Sequence, residues 1–361
     1  MIYDYLICGS GLVGAVIARK LQEAKKKLFI IEKRTHIGGN CYTENINGIN
    51  VHKYGCHIFH TNKKNIWDFV NQFSKFNNYR HKGIVNYKNK IYSFPLNLMT
   101  LSQLWGINNP TEAKKRLEKE KIKIKEPNNL EEWCLANVGK EIYKIFIKGY
   151  TKKQWNTDPK NLPASIIKRL PVRFEFNDDY FHDSLYQGIP EEGYTDLISN
   201  IIGNTRVELG TDLFKTNWKR YAKKLIYCGP IDQYYEYCFG KLDYRSLKWE
   251  TKEFYGDFQG HSVVNYTDEH VDHTRIIEHK HFQINKNKDY SIISYEYPQD
   301  YNGNNEPYYP INNEKNNLIY SKYNKLKNDN VIFTGRLGTY KYIDMDDSIS
   351  LAIKTAEKEL L

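Results

Sequence analysis

Near its start the chain carries a spacing of glycines that can hold a diphosphate. Gly9, Gly11 and Gly14 stand between an apolar run, Tyr3–Cys8, and a helical pattern, Ala15–Leu21. A second apolar run, Leu28–Ile31, ends at Glu32, 23 positions beyond Gly9. Strand, glycine turn, helix, strand and acid follow one another in the order of a dinucleotide site. Gly9 permits the tight turn, Gly11 lets backbone approach a pyrophosphate, and Gly14 lets the helix lie close to the strand. N–H groups at the helix start attract the diphosphate, and Glu32 can accept from the adenosine ribose hydroxyls.

A second glycine pair follows in Lys33-Arg34-Thr35-His36-Ile37-Gly38-Gly39-Asn40. Such a pair just past the acid resembles the large amine-oxidase-like flavoenzymes, so FAD is expected rather than NAD. Taken alone, Gly38-Gly39 also reads as a surface turn. Histidines 52, 57 and 60 surround a further glycine turn. They lack the Cys or carboxylate pattern of zinc, so no metal is expected, and they read as a site wall or as hydrogen-bonded core.

The elements that must position these residues come from both ends of the chain. The expected class is α/β, a Rossmann-like FAD-binding domain with an inserted helical domain and an antiparallel β-sheet domain. Residues 1–80, 191–240 and 326–361 form the FAD-binding parts, with the strands at Leu225–Gly229 and Val331–Thr334 rejoining the first sheet. Residues 81–95 read as a hairpin and 96–155 as helices. Residues 241–325 read as the antiparallel layer. Residues 156–190, where aromatics adjoin prolines and arginines, read as a mobile loop and substrate-binding segment; Gly149–Phe181 as a whole reads as loop.

With 361 residues, 40% of them hydrophobic and 27% charged, the chain suits a soluble multi-part enzyme. No apolar run is long enough for a membrane span or a signal core, and the six cysteines show no paired spacing, so reduced thiols in the cytoplasm are expected. The net charge of +10 admits nucleic acid or acidic polysaccharide as a partner. Much of that lysine, however, lies in Lys114–Lys125, which reads as a solvated helix face, and a basic cleft for a small anion accounts for the rest equally well. The 30 tyrosines and 6 tryptophans hint at ring stacking, most of it in the core.

From residue 9 to residue 345 the chain resembles UDP-galactopyranose mutases. The resemblance rests on GSGLVG, IEKRTHIGGN, HKYGCHIFHT, IKGYTKKQW, IKRLPVRF, YQGIPEEGYT, YCGPIDQYY, YRSLKWET, TRIIEHKH, EPYYP and GRLGTYKYIDM. It implies interconversion of UDP-galactopyranose and UDP-galactofuranose for cell-surface polysaccharide, with N5 of reduced FAD attacking the sugar's anomeric carbon as UDP leaves. The reaction is redox-neutral and the cofactor is the nucleophile, which agrees with the lack of any Ser-His-Asp set.

By the same resemblance Arg169 and Arg275 grip the diphosphate, since a guanidinium can fork two oxygens. His57 and His60 lie beside the flavin and the sugar. Gly9, Gly11, Gly14, Glu32, Lys33, Gly39, Asn40, His57, Arg336 and Met345 hold the cofactor. Tyr150, Trp155 and Phe146 meet the uracil, and Asn86, Tyr180, Tyr309, Tyr342 and Asp344 complete the substrate set. Arg173 is expected to be structural. Two residues depart from the family pattern: Cys56 replaces a smaller or cyclic residue, and Asn156 stands where glycine is usual.

A homodimer is implied, with a UDP-sugar as partner and neither nucleic acid nor membrane insertion. A mutase for UDP-N-acetylgalactosamine and an amine-oxidase-like flavoenzyme are the alternatives. A non-catalytic polyanion binder is a third reading.

Overall fold

The computed structural model describes residues 2–167, 172–284, 289–326 and 329–361. The chain forms two compact units. One gathers Met1–Asn78, Leu185–Ser246 and Tyr301–Leu361; the other gathers Tyr79–Ser184 and Leu247–Asp300. This division differs from the expected boundaries. Residues 301–325, expected in the antiparallel layer, go with the dinucleotide-type sheet, as do 241–246 and 185–190. The hairpin, the helices and the rest of the antiparallel strands form one unit.

The first unit is built on a five-stranded parallel sheet in the order 331–333, 222–227, 3–8, 28–31, 207–208. The strand Leu28–Ile31 is buried along its whole length, as a parallel strand covered on both faces must be. The helix Leu12–Glu23 follows the first strand and packs on the helices Tyr194–Ile202 and Met345–Leu360. Chain segments more than 300 residues apart therefore close on one another.

Many of the tyrosines expected in the core are found there. Tyr244 meets Tyr340 and Tyr301 edge-on at 5.3 and 5.5 Å, and Tyr323 stacks on Tyr235 at 6.1 Å. A hairpin, Thr43–Ile46 with Ile49–His52, turns on Asn47 and Gly48, both at positive φ.

In the second unit, asparagines start the helices. Asn97, Asn109 and Asn129 each accept from a backbone N–H of the first turn of Leu98–Trp105, Pro110–Glu120 and Leu130–Asn137. The sheet runs in the order 247–255, 290–300, 275–278, 263–266, 83–87, 90–94. All the described pairings between these strands are antiparallel except 263–266 with 83–87.

Two elements refine the sequence reading. The strand Tyr244–Tyr255 carries little apolar alternation, because its outer half, Thr251–Tyr255, is exposed. Gly149–Trp155, where the expected helical stretch 96–155 overlaps the loop-like run 149–181, is helical. It continues a wider π turn over Tyr143–Lys148. Asn156 ends this helix at φ 49°, with its amide on Asp300 Oδ2 at 3.0 Å. Asparagine tolerates this left-handed conformation better than other side chains, which explains how it stands in for glycine. Asn156→Gly should hold stability within a few tenths of a kcal/mol, and Asn156→Ala should cost about 1 kcal/mol in urea unfolding.

Candidate functional site

In the first unit, the two glycine turns lie against each other at the ends of the parallel strands. Gly9 N–H donates to the Ile31 carbonyl at 2.9 Å, and Gly38 N–H to the Ser10 carbonyl at 3.0 Å. Gly11 bridges Gly38 in parallel. A Cβ on Gly14 would stand 2.0 Å from the Gly9 carbonyl oxygen, so only glycine lets the helix approach the strand. A Cβ on Gly39 would stand 3.0 Å from Gly11 Cα. The helix starting at Leu12 has no side-chain cap, which leaves its first N–H groups without a side-chain acceptor. Two side-chain-free turns and an uncapped helix start fit a dinucleotide diphosphate.

Glu32 is 6% exposed and ties this turn together. Its Oε2 accepts from Ser10 N and Oγ, both at 2.9 Å, and its Oε1 accepts from Arg34 N at 3.0 Å. A carboxylate has about four acceptor positions, so one remains for a ribose hydroxyl.

Lys33, expected on the cofactor, is exposed and ion-paired with Glu306 at 3.1 Å. Arg34, which sequence reasoning passed over, is the more engaged cation. It donates to Glu306 and to Asn40 Oδ1, each at 2.9 Å, and lies 4.3 Å over the Tyr54 ring. The signal was present in its position next to the acid, but Glu306 lies 272 residues away.

Arg336, Tyr309, Tyr342 and Met345 come together in the same unit. The Arg336 guanidinium lies 4.9 Å over Tyr342 and 5.9 Å from the Tyr309 ring centre, and the two rings are 5.9 Å apart. It is held by the Ile343 carbonyl at 3.0 Å. Met345 Sδ lies 4.0 Å from Cys41 Sγ. Burial pushes the Cys41 thiol up to about 12, so it stays protonated and inert.

Asp344 is the N-cap residue of Met345–Leu360, but its side chain makes no cap bond. Its charge acts on His60, with Asp346 and Asp347, opposing the burial that lowers the His60 pKa below the usual imidazole value. His57 Nδ1 lies 2.7 Å from the Gly55 carbonyl, an acceptor only, so Nδ1 carries the proton. In the neutral ring Nε2 is then the acceptor.

In the second unit, Arg275 and Glu296 face each other across paired strands. Arg275 Nε and Nη2 donate to the two Glu296 oxygens at 2.9 and 2.5 Å. Glu296 is fully buried and also accepts from Thr274 Oγ1 at 2.7 Å. This fork fixes the guanidinium plane. Tyr180 is exposed at the surface of this unit, 5.2 Å from the His81 ring and 6.2 Å from Phe94. Tyr150 and Trp155 are half-buried on one helix. Lys153 on that helix donates to the carbonyls of Tyr266 at 2.7 Å and His273 at 2.9 Å. Burial lowers its pKa to about 8.

Phe146, expected against uracil, belongs instead to the core. It is 4% exposed and packs edge-on against Tyr92 at 5.4 Å, because the whole run Ile145–Ile147 is buried. Asn86 closes the hairpin, its Oδ1 accepting from Asn89 N at 3.1 Å. Arg169 lies outside the described residues. Arg173 donates to the Asn177 and Asp179 carbonyls at 3.2 and 2.6 Å and so holds the turn before Tyr180. Asp257, Glu278 and His281 do converge within 4.8 Å, which no sequence spacing announced. Lys280 already supplies the positive charge, 3.2 Å from Asp257, and Glu278 accepts from three backbone N–H groups.

Burial, with the neighbouring His261 and Arg275 charges adding to it, lowers the His81 pKa to about 3. Between pH 6.5 and 3 the unfolded chain takes up a proton that the folded ring refuses, so stability falls as pH falls. From pH 7 to pH 5 wild type should lose about 2 kcal/mol more than His81→Asn in urea unfolding. Parallel losses in the two proteins would mean that His81 does not titrate in this way.

Comparison with known proteins agrees with this geometry. Residues 145–342 match the family model for UDP-galactopyranose mutase, and residues 7–73 match that for an NAD(P)-binding Rossmann-like domain. A dTDP-fucopyranose mutase of Escherichia coli is 43% identical over 98% of this chain and 97% of its own. A UDP-galactopyranose mutase of Mycoplasma genitalium is 34% identical over 99% of this chain and 95% of its own. The crystal structure of a reduced UDP-galactopyranose mutase superposes with a TM-score of 0.78 at 14% identity, covering 100% of this chain and 94% of that one. A putrescine oxidase bound to putrescine reaches 0.60 at 11% identity, over 100% and 99% of the two chains, so the fold is shared with that oxidase. No helix among the described residues is long and apolar enough to cross a membrane. With relatives matched along nearly its whole length, the chain belongs to the UDP-galactopyranose mutase family and is an isomerase.

Proposed function

We propose that the protein interconverts UDP-galactopyranose and UDP-galactofuranose with reduced FAD, held by the first unit. The observation that carries this reading is the abutting pair of glycine turns, so close that a Cβ on Gly14 or Gly39 would stand 2.0 or 3.0 Å from the neighbouring backbone. When bound, reduced FAD supplies the nucleophile, its N5 atom, for the anomeric carbon of the sugar.

The chain's own residues hold and orient. Gly9, Gly11, Gly14, Gly39 and the helix start at Leu12 receive the cofactor diphosphate, Glu32 the ribose, and Arg336 and Met345 flank the ring. Asn40 positions Arg34 there. His57 presents Nε2 and His60 a neutral ring toward the flavin and sugar. Arg275, fixed by Glu296, and Arg169 neutralise the substrate diphosphate. Tyr180, Tyr309 and Tyr342 add phenol hydroxyls, and Tyr150 and Trp155 offer faces to the base. The enzyme acts as a cytoplasmic homodimer and feeds a galactofuranose-containing polysaccharide.

The E. coli relative's name favours a second substrate, dTDP-fucopyranose. Incubating the dithionite-reduced enzyme separately with UDP-galactose, UDP-N-acetylgalactosamine and dTDP-fucose, followed by chromatography, decides between them. Furanose product from UDP-galactose is expected only after reduction. Equal turnover by the oxidised enzyme would refute the mechanism, and product from dTDP-fucose alone would refute the substrate.

A further inference from the structure

In the second unit one ammonium spans the neck of a loop. The strands Val263–Tyr266 and Arg275–Glu278 pair with Asn265 opposite Arg275, and Tyr266 N–H donates to the Thr274 carbonyl at 2.8 Å. Residues 267–272 loop out between them, and the flanking His273 and Tyr266 rings meet edge-on at 4.4 Å. Lys153 Nζ donates to the carbonyls of both flanking residues, Tyr266 at 2.7 Å and His273 at 2.9 Å. Arg275 stands two residues past that neck, at the start of its strand.

Lys153 comes from the helix Gly149–Trp155, which also carries Tyr150 and Trp155. This helix lies close against the loop. A Cβ on Gly149 would stand 2.3 Å from the Thr267 carbonyl oxygen and 2.8 Å from Glu269 N, so only glycine permits the approach. Lys152, the preceding residue, is half exposed and pairs with Glu269 at 3.1 Å, a surface bond of small worth. A lysine stem is long enough to carry its charge into water. Lys153 instead keeps its ammonium on two carbonyls, although burial lowers its pKa to about 8 against the pull of Asp268 and Asp272. Charge-assisted hydrogen bonds offset that cost.

We propose that Lys153 is a positioning residue that sets the distance between the base and the diphosphate of the bound nucleotide. It fastens the helix of Tyr150 and Trp155 to the strand that starts at Arg275. The inference rests on the proposed roles of those three side chains, and it gives Lys153 no contact with the ligand itself. Two weak grips on one molecule reinforce each other only when their spacing matches the molecule, since the second then meets it at a high effective concentration. Removing the clamp should therefore spare each grip and weaken their cooperation.

Calorimetric titration of the flavin-loaded protein with UDP, with uridine and with pyrophosphate, at fixed salt, tests this. Lys153→Met should weaken UDP about tenfold and change uridine and pyrophosphate each by less than about twofold. Lys153→Arg, which still offers two donors, should bind UDP within about threefold of wild type. Lys152→Met, which removes the same charge from the adjacent residue, should bind UDP as wild type does. The proposal fails if Lys153→Met binds UDP like wild type, or if uridine or pyrophosphate weakens as much as UDP. It also fails if Lys152→Met does equal harm. Wild-type protein that does not bind UDP would overturn the substrate reading and this inference with it, an outcome distinct from the other three.

Discussion

Gly14→Ala should yield a protein that retains little flavin. The added methyl would sit 2.0 Å from the Gly9 carbonyl oxygen and 3.3 Å from Ile7 Cγ2. Neither neighbour can yield easily. Gly9 is tied to Ile31, and Ile7 is fully buried in the central strand. The helix Leu12–Glu23 must therefore back away, and with it the N–H groups proposed to receive the cofactor diphosphate. Overpacking of this kind costs about 3 kcal/mol. The flavin absorbance per polypeptide and the urea midpoint should fall together. Wild-type values for both would show that the close approach of helix and strand is not needed.

Arg275→Ala should affect both turnover and stability, and the two effects can be separated. If Arg275 meets the substrate diphosphate as proposed, its removal should lower turnover about 100-fold, roughly 3 kcal/mol. The same change leaves Glu296 buried without its cation, at a cost of about 3–5 kcal/mol. Arg275→Ala/Glu296→Gln should recover more than half of that stability, because a neutral amide no longer needs the charge. Turnover should stay low. Recovery of turnover along with stability would make Arg275 a structural residue only. Arg275→Lys should fall between, since an ammonium cannot fork both Glu296 oxygens.

Much of the architecture was readable because it follows from local rules. Apolar runs bounded by glycine gave the parallel strands, and the spacing at Gly9, Gly11 and Gly14 gave the turn. Asn97, Asn109 and Asn129 stand at helix starts for the same reason any short polar side chain does. What stayed unassigned within the expected layers lacked a local signature. Tyr244–Tyr255 is half exposed, and its partner strand is distant in sequence.

The sequence by itself determined the dinucleotide turn, its acid and the family motifs, because each depends on residue types a few positions apart. Tertiary structure alone decided who meets whom across the chain. It gave Arg34 and Lys33 to Glu306, set Glu296 opposite Arg275 and turned Phe146 into the core. It also set Lys153 on the carbonyls that flank a distant loop. Such pairings depend on strand register and on which helix face is covered. Both are fixed by burial of the whole chain, not by any one segment.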